Sequence, residues 1–201
     1  MEHTDKDTSR LEAFSDGVFA IAITLLGLEL KIPSHAQSDQ AGLGHALLEQ
    51  WEVYASFITS FFIILVIWKS HHQVFNLIHK MNAPVFFANG ALLCCVTVIP
   101  FTTNIVADYF ETSHRITATM LYSLVSFPVG FSFVALLRII LHYNDVRRRG
   151  VEVKRVKAWL RRMWFTSSFF IAAFLFVFVA PSFTLLIIFG AALYWSLAKT
   201  Y

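Results

Sequence analysis

Long uncharged stretches alternate with short polar ones along this chain, and that alternation predicts its architecture. Six apolar runs can be marked, at residues 17–30, 53–68, 84–107, 116–137, 163–180 and 183–197. A helix needs about 20 such residues to cross a hydrocarbon core of about 30 Å. Most of the runs approach that length. The first is short by itself and gains length from its polar first turn, and the last is bounded by Pro181 and Lys199. The pattern predicts an all-α membrane protein of six transmembrane helices, built as one domain over residues 1–201.

Punctuation residues refine the elements. Residues 1–9 are polar and read as loose, with Thr8 or Ser9 capping the first helix and Glu12 completing a capping box from Ser9. Helix one is predicted to end near Lys31–Pro33, before an external loop over 34–44 rich in Gly, Ser and Gln. Helix two starts near His45 and runs on through Trp68, Lys69, His71 and His72 towards His79. Pro84 opens helix three, at a first-turn position where a missing N–H costs nothing. Pro100 and Pro128 predict kinks in helices three and four. Helix four ends at Arg138, a connection follows at 144–150, and 151–162 forms a basic lead-in to span five. Residues 180–182 make a tight external hairpin, and no internal repeat is visible.

Composition fits this picture, with 57% apolar residues, 21 phenylalanines and only 14% charged residues, too greasy for a soluble domain of this size. The basic residues matter for where they fall. Nine of the 16 Lys and Arg lie between Arg138 and Arg162, and only Lys31 and Arg115 occupy the loops of the alternate side. A split of 14 against two places both termini in the cytoplasm of a cell-membrane protein by the positive-inside rule. It also argues against nucleic acid as partner. The opposite side carries Glu29, Asp39, Glu49, Glu52, Asp108 and Glu111, a balance of −4 that would concentrate cations outside. Cys94 and Cys95 are neighbours inside a span and read as small packing residues.

Candidate chemistry concentrates on helix one. At about 100° per residue, Arg10, Phe14, Gly17, Ile21, Thr24, Leu25 and Leu28 share one stripe. Asp16, Phe19, Ile23, Leu26 and Leu30 lie on the opposite face. Enzyme motifs are missing: His71 and His72 point about 100° apart, and no Glu-x-x-His pair, nucleophile elbow or phosphate-binding glycine loop occurs. No cofactor is expected. Arg10, Ser15 and Asp16 fall at the same depth as Trp68, His71 and His72, since helix one rises as helix two descends. Together with Asn89 of helix three they are expected to form a polar lock that holds the Asp16 carboxylate.

The string Arg10-x-x-x-Phe14-Ser15-Asp16, opening the first of six spans and followed by Ile21, Thr24, Leu25 and Leu28, resembles the transmembrane protein 175 family of potassium channels. The likeness is to its prokaryotic branch, with one six-span unit per subunit, and is strongest over residues 10–33. It implies a homotetramer in the lipid bilayer whose first helices line a central pore for potassium ions. Such a pore lacks a backbone-carbonyl filter, and this chain contains no Thr-Val-Gly-Tyr-Gly string. Carried over, the resemblance makes Ile21 the tightest ring, Leu25 and Leu28 the rings above it, Thr24 the one hydroxyl beside it and Gly17 the inner vestibule. Two rivals stand beside a channel: a secondary transporter of a cation or small solute, and a non-conducting membrane scaffold. Pro100 and Pro128 permit the broken helices of a transporter, but spans two to six hold no carboxylate for proton coupling.

Overall fold

The computed structural model describes residues 2–35, 39 and 42–197. Seven helices account for most of them: α1 (Glu2–Leu28), α2 (Leu43–Leu48), α3 (Trp51–Phe75), α4 (Ala83–Tyr109), α5 (Arg115–His142), α6 (Val153–Phe176) and α7 (Pro181–Leu197). Four of these, α1, α3, α4 and α5, are long and apolar enough to cross a membrane by length and composition. The first turns of α6 are given over to lysine and arginine, and α7 has 17 residues.

Several boundaries differ from the sequence pattern. The first helix starts at Glu2, so Thr8 and Ser9 lie inside it rather than capping it. Thr8 is buried and Leu11 packs into the core, so tertiary contact holds these turns helical where local capping preference predicted a start. The expected start of helix two is divided. Gly42, at φ 82°, leads into α2, which closes with Glu49 N–H donating to His45 at 2.9 Å before α3 starts. At α4 the Asn82 side chain caps the helix, accepting from Val85 N–H at 3.0 Å, with proline in the first turn. Both Pro100 and Pro128 lie inside helices that continue past them. α5 runs one turn beyond Arg138, to His142.

Contacts fix the directions of the helices. α1 packs on α3 and α4, α4 on α5, and α5 on α6, while α7 touches α3, α5 and α6. Glu12 near the start of α1 meets His72 near the end of α3, so these two run antiparallel. Lys31 just beyond α1 pairs with Asp108 at the end of α4, so those two run parallel. At the end of α7, Trp195 Nε1 donates to Ser70 Oγ at 2.6 Å and Ser196 O accepts from Lys69 Nζ at 3.0 Å. The first turns of α1 and the last of α7 therefore lie at one end of the bundle, called basal below.

The main core runs along α1, α3, α4, α5 and α6, with Phe19, Leu26, Ile64, Phe75, Leu92, Leu136 and Ile140 almost fully buried. Several hydroxyls are tied off within it, as a bilayer interior favours, while Thr119 Oγ1 and Ser167 Oγ have no partner among the described residues. Thr103 Oγ1 lies 2.7 Å from Ser60 Oγ, which lies 3.0 Å from Tyr122 Oη, joining α4, α3 and α5. α5 and α6 approach closely where Gly130 faces Ser167, since a Cβ on Gly130 would sit 2.6 Å from Ser167 Oγ. At the basal end the α3–α4 and α5–α6 connections are stitched together. His79 N–H donates to Val146 O at 2.7 Å and Arg148 N–H to Leu77 O at 2.8 Å, over fully buried Ile78 and Val146.

Candidate functional site

α1 has two unlike faces. Leu11, Ser15, Phe19, Ala22 and Leu26 recur every three or four residues and are buried against α3 and α4. The stripe predicted from spacing lies on the other side and is left open by the chain. Phe14 is 64% exposed, Ile21 60%, Leu25 40% and Leu28 79%. Gly17 and Thr24 are exposed as well, and a Cβ on Gly17 would meet nothing within 4 Å. A row of large apolar side chains at helical spacing, turned away from its own subunit, requires lipid or another copy to cover it.

Thr24 differs from its neighbours on that stripe. Its Oγ1 donates to the Ile21 carbonyl at 2.9 Å. A hydroxyl whose proton is committed to its own backbone presents lone pairs outward, the polarity a cation requires.

At its basal end α1 is held to α3 and α4 by three sets of polar contacts. His72 Nδ1 lies 2.9 Å from Glu12 Oε1. One turn along each helix, Trp68 Nε1 donates to Asp16 Oδ1 at 2.8 Å. The two pairs share one antiparallel register, with acids four apart on α1 facing donors four apart on α3.

The third set is buried. Ser15 Oγ donates to the Leu11 carbonyl at 2.8 Å, so it can only accept from Asn89 Nδ2, 3.0 Å away. That orients the Asn89 amide and turns its Oδ1 to His71 Nε2 at 2.8 Å, which must then donate. Ser15, His71 and Asn89 are each 1% exposed or less. The His71 ring stacks on Phe75 with centroids 4.1 Å apart and tilts against Phe19 at 5.3 Å.

The residues expected to form one lock are thus divided. Ser15, His71 and Asn89 form one buried chain, whereas Asp16 and Trp68 form a separate, more exposed pair. Asn89 joins Ser15 rather than the Asp16 carboxylate. Arg10 is exposed, and no hydrogen bond or ion pair from it to this group forms among the described residues. Its position on the stripe of Phe14 and Ile21 turns it away from α3, which is the physical reason. Sequence reasoning missed Glu12, assigned to a capping box, although the matching four-residue spacings of Glu12/Asp16 and Trp68/His72 carried the signal. Among the described residues no cluster of three metal-ligating side chains occurs.

A single hydrogen bond between half-exposed partners sets the scale for Asp16. Asp16→Ala is expected to destabilise the protein by about 1 kcal/mol, since exposed charge-assisted bonds contribute little. The check is the thermal midpoint in detergent against Trp68→Phe, which removes the same bond and should match it. A loss several times larger for Asp16→Ala than for Trp68→Phe would show that the carboxylate has a weightier partner.

Comparison with known proteins adds three findings. A family model described as endosomal/lysosomal potassium channel TMEM175 matches residues 10–100. A potassium channel of Chamaesiphon minutus is 35% identical over 191 residues, spanning 95% of this chain and 94% of the relative, and one of Streptomyces collinus is 41% identical over 133 residues, spanning 65% and 63%. The crystal structure of a lysosomal potassium-selective channel TMEM175 homologue from Chamaesiphon minutus matches the fold with a TM-score of 0.87 at 34% identity, over 96% of this chain and 97% of that one.

Proposed function

The chain belongs to the TMEM175 family, and from that premise we propose that it is a passive potassium-preferring cation channel of the cell membrane. Four copies, each a single unit of six spans with cytoplasmic termini, surround a central axis lined by α1. The observation that carries this reading is the open face of α1. Ile21, Leu25 and Leu28 are exposed in the subunit, while the reverse side of the same helix is packed and its base is held by polar contacts.

The mechanism follows from the chemistry of that face. Four isoleucines around an axis make an apolar collar that excludes water when narrow and conducts when it widens. Leu25 and Leu28 extend the collar away from the basal end. Thr24, with its proton turned to the Ile21 carbonyl, offers oxygen lone pairs that replace part of a cation's hydration shell beside the collar. Gly17, with open space where a side chain would project, leaves the basal vestibule wide. The contacts of Glu12, Ser15 and Asp16 hold α1 against α3 and α4, so that packing sets the collar's radius.

The test is flux from potassium-loaded liposomes containing the purified protein. A channel gives flux that does not saturate over a wide potassium range and shows no counterflow. Saturation with counterflow would establish a secondary transporter, and absence of flux a scaffold.

A further inference from the structure

Two hollows meet near the basal end, at Thr166 and Trp195, and differ in chemistry. One is a groove of about 260 Å³ between α6 and α7, with Arg161 and Arg162 at its mouth and Phe165 and Tyr194 along it. The other is an apolar chamber of about 80 Å³ walled by α3, α4, α5, α6 and α7, among them Met163, Phe170, Ile188 and Ala192. Thr166 and Trp195 line both. Cationic heads therefore stand at the entrance to an oily recess, and the recess is large enough to hold several methylene groups.

Ser167 lies on the α6 wall of the chamber with its Oγ packed towards Gly130 of α5 and closed to the interior, so the recess itself presents an apolar surface. We propose that this composite site binds one anionic phospholipid, its phosphate on Arg161 and Arg162 and an acyl chain entering the chamber past Trp195. Charge selects an anion, and the adjoining chamber selects a lipid over a free phosphate.

The site lies outside the α1 stripe, so its test is independent of conduction. Full-length protein is purified from vesicles of equal phosphatidylglycerol and phosphatidylcholine, and retained phospholipid is counted per chain. Wild type is expected to retain about one phosphatidylglycerol in clear excess over phosphatidylcholine. The double variant Arg161→Gln, Arg162→Gln should lower that retention about tenfold. Ala192→Leu, which fills the chamber and leaves both arginines, should lower it similarly. Should Ala192→Leu fail to fold, brominated acyl chains supply the second measurement. Their quenching of fluorescence is expected to fall when Trp195→Phe removes the nearest indole. Equal retention of both lipids, wild-type retention in Ala192→Leu, unchanged quenching in Trp195→Phe, or displacement of the lipid by inorganic phosphate alone would each overturn the proposal.

Discussion

Ile21→Asn is expected to raise potassium flux through reconstituted protein about tenfold and to bring sodium flux towards it. The estimate follows from the barrier an apolar collar presents. A ring that dewets opposes an ion chiefly through the cost of stripping its water, and four amides restore hydrogen-bonding partners at that point. A reduction of the barrier by about 1.4 kcal/mol is a tenfold change in rate. Ile21→Val, which keeps a branched apolar side chain, should remain close to wild type, so the effect can be assigned to polarity rather than to volume. The measurement is paired potassium and sodium flux, or single-channel current in planar bilayers. Were Ile21 turned to lipid instead, an amide would sit in hydrocarbon. Ile21→Asn would then lower insertion or stability without altering the flux per folded protein. Unchanged conductance and selectivity would thus remove Ile21 from the constriction.

The second large effect lies at the base of α1. Asn89→Leu should cost about 2–4 kcal/mol, seen as a fall of about 5–10 °C in the thermal midpoint in detergent. Asn89 is the middle of the buried chain, donating to Ser15 and accepting from His71. Its loss leaves the His71 Nε2–H without an acceptor in a site closed to water, and that unmet donor dominates the cost. Ser15 suffers less, because its proton is already committed to the Leu11 carbonyl. The compensating change is specific. His71 lies between Phe19 and Phe75, an aromatic slot that accepts a phenyl ring. His71→Phe combined with Asn89→Leu removes donor and acceptor together and should restore most of the lost stability. A double variant no more stable than Asn89→Leu alone would show that the amide acts through packing and not through this hydrogen bond.

The two helices that meet here illustrate how far residue pattern reaches. Spacing along α1 separated Arg10, Phe14, Gly17, Ile21, Thr24, Leu25 and Leu28 from Asp16, Phe19, Ile23, Leu26 and Leu30. The subunit leaves the first group open, buries Phe19 and Leu26, half-covers Asp16 and Ile23, and leaves Leu30, beyond the end of α1, exposed. Adjacency of His71 and His72 implied that they point about 100° apart, yet both were expected in one lock. The structure buries His71 against Asn89 and sets His72 against Glu12. The start of α1 was misjudged because Ser9 and Glu12 satisfy a capping pattern that tertiary contacts at Thr8 and Leu11 override. The division of α2 from α3 was likewise outside the apolar periodicity, being decided by a backbone turn over Gly42 and closure at Glu49.

By itself, the order of residues determined that the chain is helical and suited to a membrane, which side of it is basic, and which side chains of α1 share an angle. These follow from hydropathy, charge and a period of about 3.6, all of them local quantities. Only the tertiary structure decided that Asn89 serves Ser15 and His71 instead of Asp16, that Arg10 stands apart, and that Thr166 and Trp195 join a charged groove to an oily chamber. The reason is geometric. Periodicity fixes a residue's direction about its own axis, whereas a contact between helices depends also on the rotation and axial offset of each neighbour. Those are set by how the whole bundle packs.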